Sequence, residues 1–145
     1  MHDDPEFDVR GFLPYLLNQA AEASSLDFQK VYKDRYGMLR NEWRVLFHLG
    51  IYTRMTASEI GERAQMHKTK ISRAVQRLAE RRYLIRQRDG DDRRVEHLEL
   101  TPLGRKVYDD LRGIARDYDM ALVEGMPQAD VARLKAQLEA LARRS

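Results

Sequence analysis

No cysteine occurs among the 145 residues. That excludes disulfides, cysteine-ligated zinc, thiol nucleophiles and thiol redox sensing together. No stretch approaches the ~18 consecutive apolar residues of a membrane span. The start, Met1-His2-Asp3-Asp4, is acidic where a secretory signal is basic. A cytoplasmic protein with no membrane partner is expected. Glycine, at eight, and proline, at four, are scarce, which suits a mainly helical chain. His2, His48, His67 and His97 are scattered without ligand spacing, so no metal site is expected. There is no phosphate-cradling glycine loop and no Ser/His/acid grouping. An enzyme is therefore the weakest function class, and neither a catalytic residue nor a cofactor is expected.

What is present is enough for one globular domain, with 43% hydrophobic and 34% charged residues. The net charge of +3 is unevenly distributed. Residues 67–94 hold ten Lys/Arg against four acids, a net +6, which leaves −3 for the other 117 residues. A basic segment in an otherwise slightly acidic chain fits a nucleic-acid surface, and it equally fits a solvated arginine-rich helix. Local pattern has to decide.

Residues 1–8 read as a loose acidic tail. A helix is expected from about Leu13, with Pro14 in its first turn, to Tyr36, where Gly37 can stop it. Its stripe is Leu13, Leu16, Leu17, Ala20, Ala23, Phe28, Val31 and Tyr32. A second helix covers roughly Asn41 to Tyr52, with Trp43, Leu46, Phe47 and Gly50 on one face. Thr56-Ala57-Ser58-Glu59 is a capping box that starts a short helix. Another helix runs from near Lys68 to about Arg82. Leu84-Ile85 opens a β-hairpin that turns at Asp89-Gly90-Asp91-Asp92 and returns from Val95 to Leu100, with Leu98 and Leu100 alternating with polar neighbours. Thr101-Pro102 begins a long helix through Leu103, Val107, Leu111, Ile114, Ala115, Tyr118 and Leu122 to Glu124. After Gly125-Met126-Pro127, a last helix carries Val131, Leu134, Leu138 and Leu141 at coiled-coil spacing. Such a seam would be exposed in a monomer, so a homodimer is expected.

Capped helix, turn, helix and hairpin is the order of a winged helix-turn-helix. At 100° per residue, Ile71, Ala74, Val75 and Leu78 cluster on one side of the second helix. Thr69, Ser72, Arg73 and Gln76 occupy the other, flanked by Lys70 and Arg77, and Lys68 at the helix start is a further candidate DNA contact. Arginine can grip guanine, and glutamine adenine, with two hydrogen bonds each. A solvated face usually interleaves both signs, and here the only acid is Glu80, near the end. Groove reading is preferred. At the hairpin tip, Arg93 and Arg94 could enter a narrow minor groove, with Asp92 orienting an arginine by a charge-assisted bond. A tip charged only for solubility is the competing reading.

These stretches resemble the MarR family of bacterial transcriptional regulators from about Val9 to Leu141. The matching residues are Asn41-Glu42-Trp43-Arg44-Val45-Leu46, Thr56 to Ile60, Lys68 to Val75, and Asp91-Asp92-Arg93-Arg94 leading into Leu98 to Gly104. The resemblance implies a mainly α fold with a small β-hairpin wing, in which residues 1–145 form one domain. Its winged helix-turn-helix lobe would span about 39–101. Its dimerisation helices would span about 9–37 and 102–143 and interlock in an obligate homodimer. The resemblance also implies that the helix from Lys68 enters the major groove of double-stranded DNA. Arg94, with Arg93 nearby, would lie in the minor groove, and Ser58 would meet a phosphate. Two positions depart from the family pattern. Arg40 stands where a threonine cap is usual, and His67 where an acidic or hydroxyl residue often precedes the recognition helix.

Family members often bind small phenolic or aromatic carboxylate molecules. Tyr15, Asn18, Trp43, Phe47, His48 and Tyr108 could line such a cleft, although plain core packing is the stronger reading for each aromatic. The function expected is a homodimeric repressor released from a pseudo-palindromic operator by a small aromatic effector. The alternative is a DNA-binding dimer with no effector, acting by occupancy or through protein partners.

Overall fold

The structure is a computed structural model that describes residues 6–144. Asp3 and Asp4 of the expected tail, and His2, lie outside the described residues. Asp8 instead caps a 3-10 turn, Val9–Gly11, accepting from the Arg10 backbone N–H at 2.9 Å.

The fold divides into two compact units, one running to Gly113 and the other starting at Ile114. The first holds α1 (Leu13–Tyr36), α2 (Arg40–Tyr52), β1 (Arg54–Thr56), α3 (Ala57–Ala64), α4 (Lys68–Glu80), β2 (Leu84–Arg88), β3 (Glu96–Leu100) and the beginning of α5 (Pro102–Leu122). The second holds the rest of α5 and α6 (Gln128–Arg143).

Local chemistry explains most boundaries. Gly37 ends α1 in the left-handed conformation at φ 63°, and its N–H donates to the Lys33 carbonyl at 2.8 Å. The capping box forms as expected: Glu59 N–H donates to the Thr56 hydroxyl at 3.1 Å, and Thr56 N–H to the Glu59 carboxylate at 3.0 Å. Thr101 Oγ1 accepts from Gly104 N–H at 2.9 Å and donates to the Arg82 carbonyl at 2.6 Å, pinning the start of α5 to the turn that follows α4.

The hairpin is part of a larger sheet than expected. β1 pairs antiparallel with β3, giving three strands in the order β1-β3-β2. Three residues are too few to show a strand period, so only the buried Met55, opposite Leu98, marks β1. Three ends are also shorter than expected. β3 starts at Glu96, α5 ends at Leu122, and α4 stops at Glu80, after which Arg82 turns the chain at φ 64°. Arg40 is the first helical residue of α2, so the capping position is Leu39, which has no side-chain bond.

The core sits among α2, α3, α4, the sheet and the first turns of α5. Val45, Leu46, Leu49, Ile60, Ile71, Ala74, Val75, Leu78, Leu84, Leu98, Val107 and Leu111 are all buried. Each large aliphatic side chain so sealed contributes roughly 1.5–3 kcal/mol. The expected α1 stripe divides: Phe28 and Tyr32 are buried, whereas Leu13 and Leu16 are exposed. Leu103, expected on the α5 stripe, is exposed as well. In the second unit, Lys135 bonds Asp119 at 2.8 Å, joining α6 to α5.

Candidate nucleic-acid interface

α4 has the two faces that its sequence predicts. Ile71, Ala74, Val75 and Leu78 are buried, while Lys68, Thr69, Lys70, Ser72, Arg73, Gln76 and Arg77 are exposed. Lys68, Lys70 and Arg73 form no ion pair among the described residues, so their charge faces solvent uncompensated. His67 caps α4 without a side-chain bond, leaving the first backbone N–H groups of the helix unclaimed by a cap. Ser58 lies in the first turn of α3, across a cavity of about 490 Å³ from Lys68 and Ser72, with Met66 and Ile71 among its lining.

The other flank of α4 packs on α2. Lys70, Arg73 and Arg77 border a second cavity, of about 240 Å³, together with Asn41 and Glu42. Glu42 is 2% exposed and lies 3.7 Å from Arg77 Nη1, and its Oε1 has no hydrogen-bond partner. Arg77 is thus tied to α2 as well as facing outward. Sequence reasoning assigned Glu42 no role. Its burial arises only when α4 closes over α2, so periodicity within α2 cannot reveal it. Arg81 was missed for the same reason: it donates to the Tyr36 and Gly37 carbonyls, closing the end of α1 from the end of α4.

A further chain of bonds joins α4 to the wing. Gln76 Nε2 donates to Glu80 at 3.0 Å, Arg86 Nη1 donates to Gln76 Oε1 at 3.0 Å, and Arg86 Nε donates to Glu96 at 3.0 Å. Arg86 and Glu96 were also missed. The signal was available: Arg86 is two residues from buried Leu84 and stands opposite buried Leu98, hence on the inner face of the sheet.

At the tip, Asp92 and Arg94 are joined by hydrogen bonds. The Asp92 carboxylate accepts from Arg94 N–H at 3.0 Å, Nε at 3.1 Å and Nη2 at 3.3 Å. These bonds pull the Asp92 carboxyl below the ordinary aspartate range, the side-chain bond from Arg94 contributing most. The Arg94 side chain is nevertheless 92% exposed. Arg93 is exposed too, and its carbonyl accepts from Arg88 at 2.7 Å, which braces the tip.

The aromatic residues named for a ligand behave differently. Trp43 and Phe47 are half-buried and continue a ring stack that runs from Phe28 and Tyr32 to His48. His48 is buried, and its Nδ1 donates to the Arg44 carbonyl at 2.6 Å. Tyr108 is buried against Gly50. Tyr15 and Asn18 stand on the exposed N-terminal half of α1, outside that stack. None of the six lines either cavity beside α4.

A capped helix-turn-helix followed by a charged antiparallel hairpin defines the class: a winged-helix DNA-binding protein. Residues 36–95 match the profile of the MarR family. The chain shares 28% identity with a MarR family transcriptional regulator from Silicibacter pomeroyi DSS-3, at a TM-score of 0.81 over 94% of this chain and 97% of the other. BpsR of Bordetella bronchiseptica, whose DNA binding is regulated by 6-hydroxynicotinic acid, aligns at a TM-score of 0.86 with 19% identity, covering 98% of this chain and all of the other. NadR in complex with 4-hydroxyphenylacetate aligns at 0.81 with 20% identity over the whole of both chains. No curated protein sequence matches. Residues 36–95 thus form a MarR family domain, within a chain that has the fold of MarR-family transcriptional regulators. No helix among the described residues is long and apolar enough to cross a membrane.

Proposed function

We propose that this regulator is a homodimeric, non-enzymatic cytoplasmic repressor that binds a pseudo-palindromic duplex through α4 and the wing. The observation that carries the reading is the outward face of α4, where hydroxyls and unpaired cations are exposed over a sealed apolar face. In this reading Thr69, Ser72 and Arg73 meet base edges, and Ser58, Lys68, Lys70 and Arg77 meet phosphates. Arg94, with Arg93 beside it, lies in the flanking minor groove, aimed by Asp92. Two-fold symmetry places the half-sites about one helical turn, roughly 10 bp, apart.

A small aromatic effector that releases the repressor is the second half of the proposal. It is supported by BpsR and NadR, whose named compounds are both aromatic, hydroxylated and acidic. The alternative, a DNA-binding dimer with no effector, is favoured by the engagement of Trp43, Phe47, His48 and Tyr108 in ring and helix packing.

Selection from a random duplex library tests the first half: enrichment of a two-fold symmetric sequence is expected, and no enrichment overturns it. Thermal melting with 4-hydroxyphenylacetate and 6-hydroxynicotinate tests the second, since a ligand of the folded state raises Tm by linkage. An unmoved Tm with both compounds favours the effector-free reading.

A further inference from the structure

Gln76 shares the outward face of α4, and a glutamine that reads adenine needs both ends of its amide, one donating and one accepting. In this chain both ends have partners within the protein. The carbonyl oxygen accepts from Arg86 Nη1 at 3.0 Å, and the amide nitrogen donates to Glu80 at 3.0 Å. Each bond has one charged partner, which makes it stronger than a neutral one. Each end keeps a second hydrogen-bonding site, but the two bonds together fix the plane of the amide, so it is not free to turn onto a base edge.

The partner in the wing is equally fixed. Arg86 pairs with Leu98 across the sheet, on the face where Leu84 and Leu98 are buried. Its Nε holds Glu96 on the neighbouring strand at 3.0 Å while Nη1 reaches α4. A planar guanidinium spanning the two elements is stiff, because its fork fixes the angle between the two bonds. Glu80, Gln76, Arg86 and Glu96 therefore form one continuous chain from the helix to the wing.

We propose that Gln76 and Arg86 are positioning residues: a strut that sets the span between the α4 contacts and the wing contacts, so that Gln76 governs flank recognition without reading a base. The proposal rests on α4 and the wing being the DNA-contacting elements.

The experiment compares wild type, Gln76→Ala, Arg86→Ala and the double variant in selection from a random duplex library, scoring half-site and flanking positions separately. Arg86→Lys is included because it keeps the charge but lacks the fork. The half-site base preference should be the same in all. Arg94 in a narrow minor groove would favour A/T-rich flanks. Each single variant, Arg86→Lys included, should weaken that preference about fivefold, and the double variant should lose no more, since the two residues act as one unit. A new base preference within the half-site in Gln76→Ala alone, or losses that multiply in the double variant, would overturn the strut. If wild type enriches no sequence, the DNA reading itself has failed. The positioning role then falls with it. NMR distinguishes the two failures: unmoved Gln76 side-chain amide resonances in Arg86→Ala overturn the strut whatever the duplex selection gives.

Discussion

At the residue scale, the clearest case is the capping box. It was legible in the sequence because cap chemistry is local: a threonine and a glutamate three residues on satisfy each other's backbone groups whatever packs around them. Thr56→Ala should cost about 1 kcal/mol of stability, measured by urea unfolding at pH 7. The partner adds a pH dependence. The Glu59 carboxyl sits below the ordinary glutamate range, chiefly because it accepts the Thr56 backbone N–H. The folded chain therefore binds that proton less readily than the unfolded chain. The stability involved is fully present above the ordinary glutamate range and is lost as pH falls through the depressed value. Wild type should be more stable than Glu59→Gln at pH 7, and the gap should close on acidification below about pH 4. A gap that stays constant down to pH 3 would show that the carboxylate contributes nothing as an ion. Glu42 is the opposite case: its 2% exposure is set by α4, dozens of residues away, and no local spacing announces it.

At the scale of elements, periodicity served where an element has one wet and one dry face and is long enough to repeat. α4 was legible for that reason, and three-residue β1 was not. The start of α5 shows what sequence leaves implicit. A Cβ at Gly104 would lie 1.9 Å from the Tyr83 carbonyl oxygen, whereas one at Gly113, later in the same helix, would meet nothing within 4 Å. The same substitution should therefore have opposite signs. Gly104→Ala forces backbone apart and should cost on the order of 3 kcal/mol or prevent folding. Gly113→Ala should gain about 0.5–1 kcal/mol by helix propensity. Equal effects on Tm would refute the close approach. A second pair separates reading from grip. Arg73 is nearer the middle of the exposed face and Lys70 nearer its margin, although both border the α2 cavity. Arg73→Ala should cost about 1–3 kcal/mol on the selected duplex and relax one base position per half-site. Lys70→Ala should weaken selected and scrambled duplexes alike and lower the salt slope by about two per dimer. If Arg73→Ala instead lowers affinity for both duplexes equally, with a changed salt slope, it grips the backbone and specificity comes from the wing or DNA shape.

At the scale of the whole molecule, what the chain leaves uncovered matters most. Leu134 and Leu138 are each 41% exposed and Leu141 37%, all from the coiled-coil seam, and no residue of α6 is buried. In the other unit, Phe12, Leu13, Tyr15 and Leu16 expose a second apolar run at the start of α1. Scattered apolar residues are ordinary on a protein surface, but a seam repeating at three and four residues along a helix is a surface shaped for another helix. The sequence showed that repeat directly, because spacing along one helix is a local property. In the homodimer proposed above, a partner copy would cover the α6 seam. The test is light scattering at micromolar concentration on wild type and on Leu134→Asp/Leu138→Asp. Wild type should scatter as a dimer. The double variant places two charges per chain in the seam and should be monomeric, with its winged lobe still folded by circular dichroism. On a two-fold duplex its affinity should fall at least about a hundredfold, because the second half-site is no longer bound at the high effective concentration that a tethered lobe provides. A half-site duplex should bind both proteins equally. A monomeric wild type, or a variant that stays dimeric, would place the two-fold contact elsewhere and remove the reason to expect a palindromic operator.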